Sequence, residues 1–142
     1  SGRGEWPGAR LTLLMDERVL PVAAPGVQGV VGHPLLALAS RPQGWAEYWL
    51  AAGLPGPVPA PLMRIEQVST LAQAAASGMG VALMPGFLIR PELESGALVV
   101  LGDERASGYG YYFAEPEGGR VRREVGQFRD WLVTETDREV VV

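Results

Sequence analysis

The run Leu62-Met-Arg-Ile-Glu-Gln-Val-Ser-Thr-Leu-Ala-Gln-Ala-Ala-Ala-Ser-Gly-Met-Gly-Val-Ala-Leu-Met84 decides the fold class. Leu62 to Ile65 reads as a short strand. Thr70-Leu-Ala-Gln73 fits a capping box, in which the hydroxyl and the Gln three residues on answer each other's backbone donors, although Ser69 serves equally as the cap. The Ala-rich helix that follows runs to Ser77 and stops at Gly78, which suits a helix C-terminus. Val81 to Met84 is apolar at every position, the pattern of a strand buried on both faces, and Pro85-Gly86 turns it. Strand, helix and strand in this order point to an α/β fold.

Outward from this unit the pattern continues. Arg10 to Met15 alternates and reads as a strand. Arg18 to Ala24 is a second, nearly all-apolar strand, and Leu35 to Ala39 a third. Gln43 to Ala52 reads as a helix with Trp45, Tyr48, Trp49 and Ala52 on one face and Gly53 as its stop. The connector Leu54 to Pro61 carries too many prolines for a helix. Beyond Met84 come a short helix at Pro91 to Glu94 ending at Gly96, then strands at Leu98 to Leu101 and Tyr109 to Ala114. Val121, Val125, Phe128 and Leu132 are spaced as an amphipathic helix to about Asp137, with Arg122, Arg123, Glu124 and Arg129 facing solvent. The order β-β-β-α-β-α-β-α-β-β-α predicts a largely parallel sheet.

Composition narrows the function. The 142 residues are 47% hydrophobic and 20% charged, with a mean hydropathy of +0.10, enough apolar material for one domain or two small lobes. No apolar run approaches the roughly 18 residues of a membrane span. There is no cysteine, which excludes disulfides and thiolate chemistry, and His33 is the one histidine, which excludes a multi-histidine metal site. All twelve basic residues are arginine, against sixteen acidic ones, for a net charge of −4. An acidic chain with scattered arginines is poorly suited to gripping phosphate backbones. The chain begins with Ser and a polar stretch, so the expectation is a piece of a longer protein with no secretory leader.

Catalytic templates find no match. A Ser-His-Asp triad needs His33, which sits in the turn Gly32-His-Pro-Leu-Leu36, where the ordinary role is structural. There is no G-x-S-x-G, no dinucleotide fingerprint in the glycines of 26–32 or 77–80, and no P-loop, which the absence of lysine forbids. Glu92/Glu94 and Asp103/Glu104 fall in turns, where carboxylates are commonly just solvated. The expectation is no enzyme, no cofactor and no metal, and a ligand-binding or interaction domain instead.

Parallel sheets place ligands at the carboxyl ends of their strands, beside helix N-termini whose free N–H groups attract anions. Two such places stand out. Ser40-Arg41-Pro42-Gln43 lies between a buried strand and the Trp45 helix. Glu66-Gln67-Val68-Ser69-Thr70 lies between the Ile65 strand and the Ala-rich helix, and its hydroxyls suit either capping or a ligand.

The order Gly2-Arg-Gly-Glu-Trp-Pro-Gly8, Leu14-Met-Asp-Glu17, Leu20-Pro-Val-Ala-Ala-Pro25 and His33-Pro-Leu-Leu36 resembles the effector-binding domain of LysR-type transcriptional regulators. The likeness leans to the branch holding the glycine-cleavage activator and the β-lactamase regulator. It continues through Trp45-x-x-x-Trp49-Leu-Ala-Ala-Gly53, Leu71 to Leu83, Leu93 to Val99, Tyr111-Tyr-Phe-Ala-Glu-Pro116 and Phe128-Arg-Asp-Trp-Leu132, so it spans essentially the whole chain. A type II solute-binding protein of a transporter shares that fold and is the alternative.

The resemblance implies an α/β, type II periplasmic-binding-protein-like architecture with a Rossmann-like subdomain II complete and subdomain I only partly present. Its parts would be 1–18 and 115–142 from subdomain I, 19–24 and 108–114 as crossover strands, and 25–107 as subdomain II. The family's DNA-binding domain and the opening units of subdomain I are absent here, so DNA would be reached only through that missing part. Effector-binding residues would be Ser40, Arg41, Glu66, Gln67, Ser69 and Tyr111. Glu66-Gln67-Val68 stands where this branch commonly shows Asp-Ser-Ser, a departure that speaks against an anionic effector. The mixture of helix N–H donors with one arginine and one glutamate suits an amino acid or peptide fragment better than a simple dicarboxylate. The resemblance further implies a cytoplasmic homo-oligomer, dimer or tetramer, with no membrane partner.

Overall fold

A computed structural model describes residues 9–116. Chain order is β1 (Ala9–Ala23), β2 (Leu35–Leu38), α1 (Gly44–Ala51), β3 (Met63–Ile65), α2 (Val68–Ala76) and β4 (Val81–Pro85). A single 3₁₀ turn at Gly86–Leu88, α3 (Arg90–Ser95), β5 (Val99–Val100) and β6 (Arg105–Pro116) follow. The chain divides into two compact units, one comprising Arg18–Ser107 and the other Ser1–Glu17 with Gly108–Val142.

In the 18–107 unit the strand order is β3-β2-β4-β1-β5. β2 is parallel to β3, with Leu36 opposite Met63 and Leu38 opposite Ile65, and parallel to β4, with Leu35 opposite Val81. Each residue of β2 and β4 is buried because both faces of the sheet are covered. Leu36, Leu38, Ala82 and Met84 pack with Leu71, Ala72 and Ala75 of α2 on one face. Leu35, Ala37, Val81 and Leu83 pack with Trp45, Tyr48 and Trp49 of α1 on the other. The period-two alternation of side chains along each strand sends successive residues to opposite cores.

The sheet is mixed rather than largely parallel. Val19 to Val22 run antiparallel to β4, with Leu20 opposite Met84, and Val22–Ala23 run antiparallel to β5. The apolar run 18–24 reads like a parallel strand because it, too, is covered twice: Leu20 and Val22 join the α2 core, Val19 and Ala23 the α1 core. Two strands expected at 10–15 and 18–24 are one continuous strand, β1. The polar triplet Asp16-Glu17-Arg18 does not interrupt it, since ladder pairing satisfies the backbone whatever the side chain carries. The strand expected from Leu98 to Leu101 shortens to Val99–Val100, with Leu98 buried in the α2 core.

α2 starts earlier than the capping box implies. Gln67, extended at φ −103° and ψ 135°, is the N-cap and makes no side-chain capping bond, so Ser69 and Thr70 lie inside the first turn. At the other end Ser77 Oγ donates to the Ala74 carbonyl at 2.8 Å and Gly78 turns left-handed at φ 90°. In the other unit β6 pairs with β1, and the Tyr111 hydroxyl donates to Glu17 Oε2 at 2.5 Å. The helix expected from Val121 to Asp137 lies outside the described residues.

Candidate functional site

Because β2, β3 and β4 are mutually parallel, their carboxyl ends share one edge of the sheet, and α1 and α2 both begin there. The Ala39 amide donates to the Ile65 carbonyl at 2.8 Å, one residue past the last β2–β3 register pair. The loop carrying Ser40 and Arg41 therefore leaves the sheet beside the loop carrying Glu66 and Gln67. Ser40, Glu66, Gln67 and Ser69 are exposed at this edge and Arg41 is half-buried.

Local hydrogen bonds fix the first loop. The Arg41 amide donates to the Leu38 carbonyl at 2.9 Å and the Gly44 amide to the Arg41 carbonyl at 3.0 Å. An Arg41 terminal nitrogen donates to the Ser40 carbonyl at 3.1 Å and lies 3.4 Å from its hydroxyl. In the second loop the Gln67 carbonyl accepts from Leu71 at 3.0 Å, the first intrahelical bond of α2. The N–H groups of the preceding turn have no intrahelical partner, and no side chain from the N-cap answers them. The edge thus offers backbone donors, one guanidinium, one carboxylate and two hydroxyls, a set that can hold both ends of a small zwitterion.

Five of the six expected effector residues come together here. Tyr111, the sixth, belongs to the other unit, where it pairs with Glu17. Glu17 was not legible as special: it is a carboxyl in a short polar triplet, yet it is 1% exposed and takes the tyrosine hydroxyl. His33 is exposed in the turn before β2, and its amide donates to the Val30 carbonyl at 3.4 Å. Among the described residues no three His, Asp or Glu side chains group as a metal site, and no helix is long and apolar enough to cross a membrane.

A second recess lies against α1 and was not anticipated. A cavity of about 200 Å³ is lined by Val30, Tyr48, Ala52, Leu54, Leu101, Gly102, Asp103 and Arg105. Tyr48 donates its hydroxyl proton to the Asp103 carbonyl at 2.9 Å. Burial pushes the Tyr48 phenol above its usual range, Arg105 pulls it back and Asp103 adds to the rise.

A family model described as the LysR substrate binding domain matches residues 1–137. An HTH-type transcriptional regulator of Sinorhizobium fredii, y4mQ, is 34% identical over 134 residues, covering 86% of this chain and 44% of that protein. The glycine cleavage system transcriptional activator of Escherichia coli K12 is 29% identical over 155 residues, covering 97% of this chain and 48% of its own length. The chain spans about half the length of these relatives. In structure it is similar to the AmpR effector-binding domain of Citrobacter freundii, with a TM-score of 0.82, 22% identity, and 96% of this chain and 72% of that one covered. The AmpR effector domain of Pseudomonas aeruginosa superposes with a TM-score of 0.81 at 23% identity, covering 97% and 70%.

Proposed function

Because the chain belongs to the LysR substrate-binding domain family, we propose that it is the effector-sensing part of a DNA-binding transcriptional regulator, with its ligand held at the carboxyl edge of β2 and β3. Residues 25–107 act as regulatory subdomain II, 19–24 and 108–114 as crossover strands, and 1–18 with 115–142 as contributions to subdomain I. One observation carries the ligand site: the parallel register that sets Ser40 and Arg41 beside Glu66, Gln67 and Ser69, at the starts of two helices.

The chemistry is recognition, not catalysis. Arg41 and the first-turn amides of α2 attract a carboxylate, Glu66 attracts an ammonium, and Ser40, Gln67 and Ser69 fix orientation through hydrogen bonds. An amino acid or a peptide fragment fits this mixture better than a dicarboxylate, which Glu66 repels. Ligand binding favours one lobe arrangement or oligomer geometry, and that differential affinity biases how DNA-binding domains, carried outside these residues, sit on an operator. The regulator works in the cytoplasm as a dimer or tetramer. The solute-binding alternative has no support from the relatives, which are transcription regulators.

The test uses the full-length regulator that contains this chain, with effector-dependent transcription as readout. Ser69→Ala removes one hydrogen bond, about 0.5–1.5 kcal/mol, or about 1.5–3 kcal/mol if the ligand group is charged. The dose–response curve should shift to higher effector concentration with operator affinity kept. If Ser69→Ala and Glu66→Ala both leave the curve in place, the ligand is held elsewhere.

A further inference from the structure

The recess against α1 is built like a binding site, and it shares no residue with the edge described above. Its lining combines the apolar Val30, Ala52, Leu54 and Leu101 with Tyr48, Asp103 and Arg105. Arg105 lines the recess, and its Nε is buried without a hydrogen-bond partner. A guanidinium carries paired N–H donors in the fork that fits a carboxylate. The Tyr48 proton is committed to the Asp103 carbonyl at 2.9 Å, which leaves its oxygen to serve as an acceptor. Asp103 stands beside it with a formal negative charge opposite to that of Arg105. Gly102 keeps this rim low, since a β-carbon there would lie 2.8 Å from the Tyr48 oxygen.

We infer that this recess is a second ligand site, which takes a small α-amino acid with an aliphatic side chain. The carboxylate pairs with Arg105, the ammonium meets Asp103 and the Tyr48 oxygen, and the aliphatic group occupies the Val30–Leu54–Leu101 wall. The volume, about 200 Å³, lies below the roughly 300–1,000 Å³ of pockets for drug-sized ligands and suits a metabolite of this size. The site adds a second input to the chain and does not depend on the ligand at the sheet edge.

The experiment is an amide ¹H–¹⁵N titration of the chain with L-leucine, with leucinamide, which lacks the carboxylate, and with 4-methylpentanoate, which lacks the amine. L-Leucine should saturably move the amides of Val30, Leu54 and Leu101 to Arg105, and both analogues should bind at least about tenfold more weakly, the loss expected for one charged hydrogen-bonded contact. Arg105→Gln should abolish the leucine effect, and Ser69→Ala should leave it intact. The inference is overturned if leucine moves none of these amides, if either analogue binds as well as leucine, or if folded Arg105→Gln binds it unchanged. The analogue comparison on the unaltered chain decides the matter even if Arg105→Gln does not fold.

Discussion

The Ala39 amide donates to the Ile65 carbonyl at 2.8 Å, and this bond joins the two loops of the proposed effector site just where they leave the sheet. Ser69 stands two residues inside α2 from the N-cap Gln67 and makes no capping bond there. Ser69→Ala should therefore leave stability within about 0.5 kcal/mol of the parent, because an exposed helical serine replaced by a better helix former loses nothing structural. Urea unfolding measures it. A loss of about 1 kcal/mol, the usual worth of a cap, would return Ser69 to a capping role.

Gly80 is required by closeness, not by its backbone angle. A β-carbon there would sit 2.5 Å from the Pro34 carbonyl oxygen and 3.2 Å from Leu36 Cγ, and the same carbonyl accepts from Val81 at 2.8 Å. Gly80→Ala should push β2 and β4 apart locally and cost about 1–3 kcal/mol, as overpacking does. Gly29→Ala meets nothing within 4 Å and should stay within about 0.5 kcal/mol. Equal unfolding midpoints for the two variants would contradict this packing.

Tyr111→Phe removes the 2.5 Å hydrogen bond to buried Glu17. Stability should fall by about 1–3 kcal/mol, the range for a buried polar group losing a partner. Thermal unfolding of the chain reads this directly, and an unmoved midpoint would mean that the pair contributes nothing to the fold.

The Tyr48 phenol, raised above its ordinary value of 10.0 mainly by burial, gives a pH dependence of known sign. The folded chain keeps the proton where the unfolded chain releases it, so this stability is full below the unfolded value and is lost as pH rises toward the folded one. Denaturant unfolding at about pH 8 and about pH 11 should show the parent losing more stability between the two than Tyr48→Phe does. Tyr48→Phe should also cost about 0.5–1.5 kcal/mol at the lower pH, through the lost bond to the Asp103 carbonyl. Parallel alkaline losses in both proteins would remove Tyr48 from the account.

Much of the fold was legible because its signals are local. The Trp45/Tyr48/Trp49 face found its core, the apolar runs at 35–38 and 81–84 found a doubly covered sheet, and Gly78 and Gly96 turned left-handed at the helix ends. Strand direction was not legible at Val19 to Val22, since burial on both faces looks the same in either orientation. The α2 start was misplaced because Ser69 and Thr70 are good caps by type, while the extended backbone of Gln67 places the cap there. At the candidate edge, the residue types and their strand-end positions were readable in advance. Glu17 and Arg105 were not, because sequence does not reveal that a carboxyl in a polar triplet is buried against a distant tyrosine, or that Arg105 lines a recess.

The account turns on where a ligand sits. An amide ¹H–¹⁵N titration of the chain with a panel of free amino acids and short peptides reads that position directly. The proposed function predicts one ligand that saturably moves the amides of Ser40, Arg41 and Glu66 to Ser69, and loses this effect in Arg41→Gln. No ligand moving these amides, or one that moves them equally in folded Arg41→Gln, would contradict it, even if leucine still perturbs Leu101 to Arg105.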